Sequence, residues 1–134
     1  MKTNNNTEQV GGTHYNLEIE PVHIMIEHNL NWFQGEILKY VSRHTKKNGK
    51  QDLEKAIHIC DMYLDLKPKN FSKPITQNNT LVENYVAQFV SEFTGLPNIR
   101  VYKYFIEAVR DLINGDIQSC KESIRALKED FYGD

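Results

Sequence analysis

The apolar residues of this chain recur every three or four positions and almost nowhere alternate every second one. That spacing lines one face of a helix, whereas a half-buried strand needs a period of two. The sequence therefore predicts an all-α protein of about six helices. The first begins at Pro21, a residue suited to an opening helical turn, and carries Val22, Met25, Ile26 and Leu30 until Asn29–Asn31. The second begins near Gln34–Glu36, buries Ile37, Leu38 and Val41, and stops at Lys47-Asn48-Gly49. The third, Gln51 to Leu66, buries Leu53, Ala56, Ile57, Cys60 and Leu64, and so short a connection makes a tight hairpin. A fourth helix covers 81–94, with Tyr85, Phe89 and Phe93 inward and Gly95 and Pro97 ending it. Asn98 caps a fifth, running to Asn114, and Asp116 caps a sixth built on Ile117, Cys120, Ile124 and Leu127.

The helices fall into two groups of three. Residues 1–13 read as a flexible lead, 14–66 as a first helical domain and 81–134 as a second. Residues 67–80 hold two prolines, three lysines, no acid and no periodicity, which marks a linker. Three helices alone leave part of their apolar stripes uncovered, so a homo-oligomer is expected. No run of about 18 apolar residues occurs, so no membrane helix is expected. Met1–Gly12 lacks the apolar core of a signal peptide, which points to the cytoplasm. Cys60 and Cys120 fall on helical apolar faces and read as buried thiols in a reducing compartment.

Charge narrows the function. The net charge is −2, without the cationic excess that duplex DNA demands. On the second helix, however, Glu36, Lys39, Tyr40, Arg43 and Lys47 share one face, and Asp52 and Lys55 open the next helix nearby. Several converging donors are what a phosphate needs. A solvated, salt-bridged face explains the same spacing and is the simpler account from spacing alone. His14-Tyr15 stands where the lead meets the folded part, as an anchor or as part of a pocket. His23 and Glu27 are four apart, but no further ligand falls at zinc spacing, so no metal site is expected. Asp61 and Asp65 read as an exposed helical face more readily than as a remnant magnesium site. No phosphate-cradling glycine loop, dinucleotide fingerprint, nucleophile elbow or zinc-protease motif is present.

His14-Tyr15, Ile19-Glu20-Pro21, Gly35-x-x-x-Lys39-Tyr40-x-x-Arg43, Lys46/Lys47, Gly49 and Asp52-Leu53-x-Lys55-Ala56 follow one another in an order and spacing that resemble the SaV-like family of small bacteriophage proteins. The resemblance covers 14–66. It departs at Glu36, where the family usually has Asn, and at Ile57-His58-Ile59-Cys60, where aromatic residues are usual. The resemblance implies a link to bacterial abortive infection. It also implies, for some members, phosphorylation of deoxynucleoside monophosphates without a P-loop. Lys39, Arg43, Lys47 and Lys55 would then neutralise phosphates, His14 and Tyr15 would hold base or sugar, and a kinase would bring magnesium. Two functions follow as expectations. One is binding of a nucleotide or other phosphorylated small molecule, with or without catalysis. The other is a non-enzymatic effector that binds a host protein. Single-stranded nucleic acid on the lysines and aromatics of the linker is a weaker third.

Overall fold

The computed structural model describes residues 19–75, 79–90 and 98–133. Six helices follow in order: α1 Pro21–His28, α2 Trp32–Arg43, α3 Lys50–Leu66, α4 Thr80–Val90, α5 Asn98–Ile113 and α6 Ile117–Tyr132. Among the described residues there is no strand, and the fold is all-α. Expectations for the lead 1–13, for His14 and Tyr15, and for Phe93, Gly95 and Pro97 lie outside the described residues.

Local chemistry sets most helix ends. α2 begins two residues before the predicted start because Asn31 and Gln34 close a capping box: Gln34 N–H donates to Asn31 Oδ1 and Asn31 N–H to Gln34 Oε1, both at 2.9 Å. The fully buried Gln34 amide also donates to the Leu112 carbonyl at 2.9 Å, tying the start of α2 to the end of α5. α6 starts as expected, with Ser119 N–H donating to Asp116 Oδ1 at 3.2 Å. α2 stops at Arg43, four residues short of the predicted turn, so Lys46 and Lys47 stand on the loop into α3.

The core is shared across the linker. Ile24 of α1, Leu38 of α2, Leu53 of α3, Tyr85 of α4, Phe105 of α5 and Leu127 of α6 belong to one buried cluster. α3 packs along α6 and α2 meets α5, so each three-helix group covers the other's apolar face. The apolar stripes from which a homo-oligomer is expected are therefore covered in large part within the chain itself. Cys60 and Cys120, 60 residues apart in sequence, are both buried and meet between α3 and α6. The hydrogen-bonding contact with Cys60, and then burial, push the Cys120 thiol up, so both behave as small apolar residues.

The expected linker is a strap held to the helices. Lys73 N–H donates to the His28 carbonyl at 2.8 Å, and Ile75 N–H to Asn114 Oδ1 at 2.7 Å. Ser72 Oγ donates to the Ile113 carbonyl at 2.8 Å, serving a carbonyl that the end of α5 leaves without a helical partner. Proline removes donors and helical propensity, which keeps this segment out of a helix, and several of its backbone and side-chain polar groups are held by residues in or beside α1, α2, α3 and α5.

Candidate functional site

A cavity of about 400 Å³ opens beside the end of α2. It is lined by Lys39, Ser42 and Arg43 of α2, Lys46 and Lys47 of the following loop, Pro21 of α1 and Phe89 of α4. Three of the sequence-predicted site residues, Lys39, Arg43 and Lys47, thus line one space. Helical spacing explains Lys39, Ser42 and Arg43, which lie three and four apart.

Tyr40, Asp52 and Lys55 are predicted residues that do not line the cavity. The Tyr40 ring carries three cations: Arg43 Cζ lies 4.6 Å from its centroid, Lys39 Nζ 5.1 Å and Lys55 Nζ 5.6 Å. A tyrosine face attracts a cation without neutralising it, so the ring gathers positive charge and leaves it available. Asp52 is fully buried and turned inward. It accepts from Arg43 Nε and Nη2, both at 3.3 Å, and from Asn48 N–H at 3.1 Å. Its carboxylate sits in the first turn of α3, where a helix favours negative charge. Asp52 therefore aims the Arg43 guanidinium. Lys39 is paired with Glu36 at 3.1 Å, so the acid that departs from the SaV-like pattern offsets one cation of the stripe.

At the inner wall, the buried Ser42 hydroxyl is hydrogen-bonded to the Tyr85 hydroxyl of α4. Burial, against a smaller effect of Ser42, pushes the Tyr85 phenol well above its ordinary range. Below the loop, His44 is buried and edge-on to Phe131, with ring centroids 4.7 Å apart, and its Nδ1 lies 2.8 Å from the Tyr132 hydroxyl. The end of α6 thus clamps the loop that carries Lys46 and Lys47.

That loop turns on Gly49, at φ 57 and ψ −126, a region open to glycine almost alone. An added Cβ would find ordinary contacts, the nearest at 3.5 Å on Tyr132, so the obstacle is the backbone. Gly49→Ala is expected to cost about 1–3 kcal/mol of unfolding free energy, read by urea denaturation. An unchanged midpoint would show that the loop relaxes freely.

No metal site emerges from the described residues: no three His, Cys, Asp or Glu side chains converge. Asp61 is ion-paired with Lys121 of α6, which accounts for one of the paired carboxylates of α3. No described helix is long and apolar enough to cross a membrane.

Residues 10–61 match the model of DUF3310, a family of proteins of unknown function. The match takes in α1, α2 and most of α3, and therefore every residue of the cavity except Phe89. No curated protein and no solved structure matches the chain. Sequence reasoning missed Ser42, Lys46, Pro21 and Phe89 as lining residues, Lys46 having entered only as part of the SaV-like spacing. Ser42 carries the signal of lying one turn from Lys39. Pro21 and Phe89 carry none, because only the packing of α1 and α4 against α2 brings them there.

Proposed function

We propose that the cavity binds a small phosphorylated ligand, with a nucleotide as the best fit. The observation that carries this reading is that four cationic side chains line one space together with Pro21 and Phe89. Such a space offers charge to a phosphate and an apolar surface to an organic group. Its volume falls within the roughly 300–1,000 Å³ usual for small-molecule sites. Arg43 is pre-aimed by Asp52, which reduces the ordering cost of binding. The SaV-like spacing of residues 14–66 supports the same ligand class and a phage setting, and extends it to a kinase acting on nucleoside monophosphates. Phosphoryl transfer rests chiefly on positioning and charge stabilisation, which a cationic cavity supplies. In a kinase, magnesium would arrive on the nucleotide phosphates. A protein that holds the nucleotide without reacting would use the same wall.

Calorimetric titration with nucleoside mono- and triphosphates and with pyrophosphate tests the binding. Lys39→Ala and Lys47→Ala are each expected to weaken affinity about tenfold or more, the worth of a charge-assisted hydrogen bond. Glu36→Gln is expected to tighten it about threefold by freeing Lys39. Affinity unmoved by all three substitutions would remove the cavity from consideration and favour a protein-docking role for the stripe. Formation of a labelled nucleoside diphosphate from monophosphate and a triphosphate donor separates kinase from binder.

A further inference from the structure

Side chains pin the strap: Asn70 Nδ2 donates to the Tyr63 hydroxyl and Ser72 Oγ to the Ile113 carbonyl, both at 2.8 Å. The intervening carbonyls are held as well. Those of Lys69 and Phe71 accept from the side-chain amides of Asn31 at 3.0 Å and Asn29 at 3.2 Å, and that of Lys73 lies 2.8 Å from His28 Nδ1. The side chains of Lys67, Lys69, Phe71 and Lys73 are left in solvent. Phe71 keeps 72% of its surface exposed, and Trp32, which follows Asn31 on the first turn of α2, keeps 61%. None of the three lysines is ion-paired with a carboxylate among the described residues. Large rings in water are uncommon and mark contact surfaces. Phe71 stands among these lysines on a hydrogen-bonded backbone, and Trp32 follows Asn31, whose amide holds the Lys69 carbonyl.

We propose that the strap and Trp32 form a binding surface for single-stranded nucleic acid, independent of the cavity. The lysines would engage successive phosphates, and Phe71 and Trp32 would stack unpaired bases. Lys69, Phe71 and Lys73 are all exposed, which sets a ring between two cations along the strap. Base stacking needs exposed π faces, which a duplex keeps closed. An acidic peptide would use the lysines and leave the rings idle. A lipid surface would draw on the same lysines and rings, and the vesicle titration below separates it from a single strand.

Trp32 is the single tryptophan of the chain and reports directly on stacking. Titration of the full chain with a short oligothymidylate is expected to quench its fluorescence saturably. The logarithm of the affinity should fall against log salt with a slope of about −2, at roughly 0.7 per lysine engaged. Phe71→Ala should weaken binding at least about fivefold. The pair Lys69→Glu and Lys73→Glu should weaken it further, with circular-dichroism melting unchanged because both side chains are exposed. Lys39→Ala, in the cavity, should leave the quenching as it was. Absence of saturable quenching at low salt overturns the proposal. So does an equal response to the matching duplex, to polyglutamate or to phosphatidylglycerol vesicles. Loss of the signal in Lys39→Ala would assign the oligonucleotide to the cavity and overturn it equally.

Discussion

Arg43→Met is expected to lower the unfolding free energy by about 3 kcal/mol, more than its half-exposed position suggests. The reason lies in its partner. Asp52 is fully buried, and removing the guanidinium leaves an uncompensated charge in the interior. The reverse change is milder. Asp52→Asn leaves an arginine whose side chain is 32% exposed and can reach water, so about 1–2 kcal/mol is expected. The double variant should be more stable than Arg43→Met alone, because the stranded charge is gone. A double-mutant cycle in urea reads all three. Equal costs for the two single changes, or strict additivity, would show that the pair is solvated and merely adjacent. The asymmetry also bears on the site. A loss of ligand affinity in an Arg43 variant mixes a missing contact with a disturbed loop, which is why Lys39 and Lys47 are the cleaner probes of the cavity.

The second large effect is acid sensitivity centred on His44. Burial lowers its pKa from 6.5 to about 4, and the nearby Asp52 carboxylate only partly opposes this. The 2.8 Å contact with the Tyr132 hydroxyl suits a neutral ring that accepts at Nδ1. Because the folded value lies below the unfolded one, the unfolded chain takes up the proton first. The contribution is whole above about pH 6.5 and is lost as the pH falls toward 4. At roughly 1.4 kcal/mol per pH unit, about 2 kcal/mol should be gone by pH 5 and about 3 kcal/mol by pH 4. His44→Gln keeps an acceptor for Tyr132 and removes the titration, so its stability should fall less steeply over that range. Parallel pH profiles for the two proteins would mean that other groups govern the acid limb. Since His44 adjoins the loop bearing Lys46 and Lys47, the same window should loosen that side of the cavity.

Much of the fold was legible because helices are written locally. The interval between Leu53, Ala56 and Cys60 requires no knowledge of what they pack against, and Asp116 announces α6 by its own side chain. The start of α2 was misplaced because Asn31 and Gln34 were not read as a reciprocal cap. Its end was misplaced because Lys47-Asn48-Gly49 resembles a helix stop and hides the earlier exit at Arg43. The cationic stripe was visible in spacing alone, and so was its tie to the first turn of α3. What spacing could not distinguish was a lysine facing a cavity from one lying across a tyrosine ring, as Lys55 does.

The sequence by itself determined the helical class, the order of the elements, the basic face of α2 and the acid-free character of residues 67–80. All of these depend on neighbours within one or two turns. Tertiary structure alone decided three things. Two groups of helices share one core, the linker is a pinned strap, and the basic face meets Pro21 and Phe89 at a cavity. Each of these depends on residues tens of positions apart becoming neighbours. That happens only when several amphipathic helices bury their apolar faces together, and no single helix encodes which partner will cover it.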